Sequence, residues 1–255
     1  MQWNKKNTTL CNTICYTVSM EKFAVFDIDG TLIRWQLYHA VVNRLAKAKA
    51  LSDNAQHELK QAMMSWKRRE NEDAFKNYQS KLVKLYEQSL PNISTSVFDK
   101  LITEVINEYK DQTYIFTRNL IHQLKSKGYK LFIISGSHQE LVEQIGKYYN
   151  FDDYIGAKYT RDSNGFTGES SIPALNKAKS LEQLITKHKV ITRDSIGIGD
   201  TKSDISMLEM VDQPIAFNPD KLLFNVAKER GWQIVIERKN VIYKLDKKDG
   251  VYVLD

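Results

Sequence analysis

The chain places carboxylates where a strand should end. In "FAVFDIDGTLIRW", residues 23–35, an apolar run closes on Asp27 and Asp29, followed by Gly-Thr and more apolar residues. Asp is a poor strand former, and a buried carboxylate is costly unless it is paired or bound to a metal. Side chains alternate along a strand, so Asp27 and Asp29 point to the same side. Two further apolar runs end in polar groups: "LFII" in Ser135, and "IGIG" in Asp200. Taken singly, each is explained by a turn or a helix cap, with Ser135-Gly136 or Asp200-Thr201 as the capping pair. In an open parallel sheet, however, ligands bind in the crevice beyond the carboxyl ends of the strands. Three such ends meeting there would make one site from residues far apart in sequence.

The elements needed to bring them together are legible. Phe23, Ala24, Val25 and Phe26 are continuously apolar, as in a parallel sheet covered on both faces. From 37 to 112 the pattern is helical: Leu37, Val41, Leu45 and Ala48 recur at helical spacing, as do Phe98, Leu101, Ile102, Val105 and Ile106. Pro91-Asn92 breaks this stretch into pieces. Helix and strand then alternate. "FTRNLIHQLKSKG" is a helix closed by Gly128, "YKLFIIS" a strand, "LVEQIGKYY" a helix, "NKAKSLEQLITKHK" a helix and "SIGIGD" a strand. "PIAFN" and "WQIVI" are strands around the helix "KLLFNVAKERG". Asn164-Gly165 and the polar turn of "VIYKLDKKDGVYVL" mark two hairpins. The predicted fold is α/β, a Rossmann-like doubly wound parallel sheet. Its core spans 20–36 and 113–255, and residues 37–112 form an inserted all-helical cap.

Composition bounds the reading without deciding it. The 255 residues carry a formal net charge of +6, with basic residues spread along the chain and only Lys67-Arg68-Arg69 clustered. That favours a solvated basic surface, able to draw in an anionic small substrate, over nucleic-acid binding. Two cysteines, Cys11 and Cys15, make no disulfide framework, so a cytoplasmic setting is expected. No apolar run approaches the ~18 residues of a membrane span. Residues 1–19 lack a signal-peptide pattern and read as a poorly ordered extension.

"DIDGT" (27–31), Ser135 in "IISGS", Lys177 in "NKAKSL" and "GDTKSD" (199–204) resemble the four ordered motifs of haloacid dehalogenase superfamily phosphatases. "NGFTGE" and "GDTKSDISML" are similar to the phosphoserine phosphatase-like subgroup, whose cap sits where the helical insert falls. The resemblance implies a Mg²⁺-dependent phosphatase acting on a small phosphorylated metabolite. Asp27 would be the nucleophile, forming an aspartyl-phosphate. Asp29 would protonate the leaving alcohol and then activate water. Asp27, the carbonyl of Asp29, and Asp200 would hold Mg²⁺, with Asp204 holding the metal's waters or orienting Lys177. Ser135, the amides from Gly136 onward and Thr31 would bind phosphate at a helix N-terminus. Lys177 would neutralise the nucleophile and the phosphoryl group. Lys177 stands 23 residues before Asp200 and its rival Lys179 stands 21 before; Lys177 is preferred as the first lysine of the "KAK" pattern.

One departure concerns the substrate. Phosphoserine phosphatases carry an acidic residue just after "DxDxT" to hold the substrate's ammonium group. Here Leu32, Ile33, Arg34, Trp35 and Gln36 follow, with no carboxylate. Arg34 would suit an anionic or hydroxyl-rich leaving group and Trp35 an apolar one. The alternative places Arg34 on the surface and Trp35 in the hinge, and His138 poses the same choice. The four motifs fit hydrolysis and equally fit phosphoryl transfer to another acceptor. The joint presence of Asp27, Asp29, Lys177 and Asp200 counts against a binding or regulatory module without turnover.

Overall fold

The computed structural model describes residues 21–163, 165–172 and 175–254. The expected N-terminal extension, Cys11, Cys15 and the turn residue Asn164 lie outside them. The described strands form one nine-stranded sheet in the order β4-β3-β2-β1-β5-β6-β7-β8-β9. Their ranges are β1 Lys22–Phe26, β2 Lys130–His138, β3 Asp153–Asp162, β4 Gly165–Ser171, β5 Ile191–Gly199, β6 Gln213–Phe217, β7 Gln233–Arg238, β8 Val241–Lys248 and β9 Val251–Leu254. From β3 across β1 to β7 neighbouring strands are parallel. Only the hairpin partners β4, β8 and β9 run antiparallel. The chain leaves β1 to build β2 and β3 on one side, then returns to build β5, β6 and β7 on the other. The reversal beside β1 is the switch point at which such sheets bind ligands.

Continuous apolar strands follow from burial on both faces. Ala24 and Phe26 of β1 join one core cluster with Leu131 and Ile133 of β2. Phe23 and Val25 join the other with Phe132 and Ile134. Adjacent residues thus serve opposite layers, and no position in the middle of β1 is free to be polar.

Between β1 and β2 lie the helices α1 Leu37–Lys47, α2 Asp53–Lys67, α3 Ala74–Ser89, α4 Thr95–Tyr109 and α5 Ile115–Ser126. A 3-10 turn at Leu90–Asn92, set by Pro91, separates α3 from α4. Among the described residues no strand interrupts 37–112. Ser52 and Ser94 cap α2 and α4 with their hydroxyls. Trp66 stacks on Tyr78, joining α2 to α3 (5.4 Å between centroids). α5 has no capping side chain of its own; the Glu237 carboxylate of β7 accepts from the amides of Ile115 and Phe116 at 3.0 and 2.8 Å.

The later helices are α6 Gln139–Tyr148, α7 Lys177–His188, α8 Ile205–Leu208 and α9 Lys221–Arg230. Two boundaries differ from the sequence reading. β2 runs past Ser135 to His138, with its register to β3 broken between Ile134 and His138. Ser135 is therefore not at the start of α6, where His138 takes the capping position. "TKSDISML" is not one helix but a 3-10 turn at Lys202–Asp204 followed by α8. The Asp204 carboxylate folds back to accept from the amides of Asp200 and Thr201 (3.0 and 2.9 Å), which tightens this first turn.

Candidate active site

The carboxyl ends of β1, β2 and β5 converge, and α7 adds a cation. Asn176 caps α7 by accepting from the Lys179 amide at 3.1 Å. That sets the helical phase: Lys177 points inward and is buried, while Lys179 is exposed. Lys177 Nζ donates to Asp27 Oδ1 and to Asp204 Oδ1, both at 2.6 Å. Asp27, Asp200 and Asp204 each present an oxygen within 4.8 Å of the others.

Backbone space makes this crowding attainable. Gly30 has φ +85°, and a Cβ there would lie 2.1 Å from Asp200 Oδ2. A Cβ at Gly199 would lie 2.4 Å from Asp204 Cβ. Asp200 is further fixed by the Thr31 hydroxyl, which donates to its Oδ1 at 3.3 Å, and by the Asp220 amide on its carbonyl at 2.8 Å. Thr31 thus supports an aspartate; its own carbonyl accepts from Thr117 Oγ1 at 3.0 Å.

Asp29 faces a different set of partners. Its Oδ2 accepts from Ser137 Oγ at 2.6 Å and Ser135 Oγ at 3.2 Å. Its Oδ1 accepts from the Leu37 amide at 2.5 Å. The Ser137 amide donates to Ser135 Oγ at 3.1 Å, holding the two serines as a unit around the half-buried Gly136. Sequence reasoning missed Ser137. The signal was its i+2 spacing from Ser135, which puts both hydroxyls on one face of β2.

Burial is the dominant influence on the carboxyl groups. It pushes Asp27 up to about 7, against the nearby Lys177 and with help from Asp204 and Asp29. Burial also raises Asp29, against its hydrogen-bond donors, and raises Asp200 strongly, with Asp27 and Asp204 adding repulsion. Burial would lower Lys177, but Asp204 and Asp27 outweigh it and hold the ammonium charged. One lysine does not balance this many carboxylates. Hard oxygen donors packed this closely, with negative charge in excess, fit a small divalent cation such as Mg²⁺.

Arg34 is not drawn into the cluster. It is exposed, and its guanidinium lies 5.7 Å over the Tyr114 ring. Trp35 is 43% exposed. His138 is wholly buried, with its ring stacked on Tyr38 (5.1 Å) and bordered by Tyr86, Phe98 and Tyr159. Among the described residues neither of its nitrogens has a hydrogen-bond partner, and burial pulls its pKa down to about 3.

The fold and site together define a hydrolase class. The family model of haloacid dehalogenase-like hydrolases matches residues 24–209, and the chain belongs to that family. Its likeness lies with the phosphoserine phosphatase-like subgroup. The histidinol-phosphatase of Neisseria meningitidis serogroup C is 27% identical over 231 residues, spanning 85% of this chain and 99% of that protein. The phosphoserine phosphatase of Archaeoglobus fulgidus is 24% identical over 210 residues, spanning 81% of this chain and 55% of that protein. A solved structure of a Bordetella pertussis protein of unknown function superposes with a TM-score of 0.67 at 19% identity, covering 86% of this chain and 99% of that one. Among the described residues no helix is long and apolar enough to cross a membrane.

Proposed function

We propose that this chain, a phosphoric monoester hydrolase by family and relatives, cleaves a small-molecule phosphate ester through a covalent phosphoryl group on Asp27. The observation that carries this reading is the Lys177 ammonium held 2.6 Å from Asp27 Oδ1. A buried cation against one oxygen of the nucleophile lowers the repulsion between that carboxylate and an incoming phosphate dianion. Asp27 and Asp200 would hold Mg²⁺ together with the Asp29 carbonyl, while Asp204 keeps Lys177 in place. Bound there, the ion would neutralise charge on the phosphoryl oxygens.

In the first half-reaction an Asp27 oxygen bonds to phosphorus as the ester P–O bond breaks. The leaving oxygen takes the proton of Asp29. In the second, a water oxygen bonds to phosphorus and the water's proton passes to Asp29. The Asp27–phosphorus bond breaks, releasing inorganic phosphate and restoring both aspartates. Ser135, whose hydroxyl reaches Asp29 at 3.2 Å, and the Gly136 amide would bind the phosphate oxygens. Helices α1–α4 serve as the cap over this crevice in our reading.

The relatives act, by their names, on histidinol phosphate and phosphoserine. Residues 32–36 supply no carboxylate for an ammonium group, so esters without one beside the phosphate are the favoured substrates. Hydrolysis of 4-nitrophenyl phosphate, followed with and without Mg²⁺ and in excess chelator, tests the reaction class. Full activity in chelator would rule this mechanism out. A phosphate-release screen over metabolites, with phosphoserine included, tests the substrate class.

A further inference from the structure

We infer that Ser137 is the positioning residue for Asp29, and that it holds the acid's carboxyl while Ser135 is occupied by phosphate. This rests on the reading of Asp29 as the general acid. Three donors grip the Asp29 carboxyl: the Leu37 amide on Oδ1, and Ser135 and Ser137 on Oδ2. They are not equivalent. Ser135 is the longer contact at 3.2 Å and belongs to the motif assigned to phosphate. A hydroxyl that turns to a phosphate oxygen leaves Asp29. Ser137 is the shorter contact at 2.6 Å, is 1% exposed, and has no other side-chain hydrogen bond among the described residues. Its place is fixed by the backbone, since its amide is tied to Ser135 Oγ and β2 departs from regular pairing just here.

Without Ser137, only the Leu37 amide would hold the carboxyl once phosphate is bound. Rotation about χ2 would then carry the proton away from the leaving oxygen. The consequence is confined to the step in which the ester P–O bond breaks and its oxygen takes the Asp29 proton. A poor leaving group needs that proton; a good one departs without it.

Phenyl phosphate and 4-nitrophenyl phosphate share a ring and a phosphoryl group and differ in leaving-group acidity. The ratio of their kcat/KM values, measured on one preparation, does not depend on the folded fraction. Ser137→Ala is expected to lower kcat/KM for phenyl phosphate about tenfold further than for 4-nitrophenyl phosphate, the scale of one hydrogen bond to an ionisable group. Ser137→Thr, which keeps the hydroxyl, is expected to bring the ratio back toward wild type. Asp29→Asn is the reference and is expected to shift the ratio further in the same direction. Equal losses on both esters in Ser137→Ala, beside a selective Asp29→Asn, would overturn the role of Ser137 and leave Asp29 as the acid. An unselective Asp29→Asn would overturn the reading of Asp29 and this inference with it.

Discussion

The Leu37 amide donates to Asp29 Oδ1 at 2.5 Å, so the first residue of the first inserted helix holds a carboxyl group in the loop that follows β1. Leu37→Pro tests this contact. Proline is accepted at the first helical position, and Gln36 before it is already extended (φ −97°, ψ 104°), as a residue preceding proline must be. The variant should keep α1 and lose the donor. Its activity on phenyl phosphate should fall about tenfold further than on 4-nitrophenyl phosphate. Equal losses would detach Leu37 from the chemistry.

Asp27→Asn should reduce turnover by about 10³-fold or more while the circular dichroism spectrum stays unchanged. The amide is nearly isosteric but a poor nucleophile. Activity within about tenfold of wild type would remove Asp27 from the role.

Lys177→Met keeps the apolar stem and deletes the charge. Asp27 and Asp204 would then be buried with no cation between them. Breaking a buried pair on one side destabilises by about 3–5 kcal/mol at neutral pH. Denaturant unfolding should show that loss, together with a loss of activity. The deficit should narrow on acidification as the orphaned Asp27 carboxylate protonates. A variant as stable as wild type at neutral pH would show that the pair does not support the fold.

Asp200→Asn separates metal binding from folding. Asp200 is repelled by Asp27 and Asp204, so the amide should raise the melting temperature in chelator. Mg²⁺ should stabilise the wild-type fold by mass action, about 2.7 kcal/mol at a hundredfold excess over its Kd and seen as a raised melting temperature, and should do little for the variant. Ca²⁺ should bind yet support little turnover, because its looser coordination misplaces the nucleophile. Equal Mg²⁺ shifts in both proteins would move the metal site elsewhere.

Much of this was readable before any coordinates. The strand ends before Asp27 and Asp200 are legible because β1 and β5 are apolar up to the point where they leave the sheet. The choice between Lys177 and Lys179 was not settled by spacing, since both fall in one helical turn. The Asn176 cap sets which of them faces inward. Ser137 escaped because the strand was ended at Ser135, whereas β2 continues to His138 and keeps Ser137 at i+2 from Ser135. Arg34 was drawn toward the substrate by proximity in sequence alone. The backbone after Gly30 turns back, with the Arg34 amide donating to the Gln112 carbonyl at 2.8 Å, and this leaves its side chain outside.

His138 predicts an acid-sensitive fold. Its folded pKa of about 3 lies below the unfolded value near 6.5, so from about 6.5 downward the unfolded chain takes up a proton that the folded chain refuses. This residue's contribution to stability is therefore full above about 6.5 and falls as pH drops toward 3, by an amount on the order of a few kcal/mol. His39, buried against Phe75 and Tyr78 and pulled down to about 4, acts in the same direction. His138→Phe should remove the first component. The stability difference between variant and wild type should grow in the variant's favour from pH 7 to pH 4.5. A difference that does not change with pH would show that His138 titrates normally.

The glycines beneath the carboxylates have a consequence for how such a chain can diverge. At Gly199 the space that a methyl group would take is already filled by the Asp204 side chain, and at Gly30 by that of Asp200. A drift to alanine at either position would displace an aspartate rather than merely strain a turn. A lineage that kept this architecture but abandoned turnover would be released from that exclusion at 199, whereas at 30 the φ of +85° would still favour glycine. Retention of glycine at 199 among diverging descendants is therefore a sign that Asp204 is still selected, and its loss should accompany or follow the loss of that aspartate.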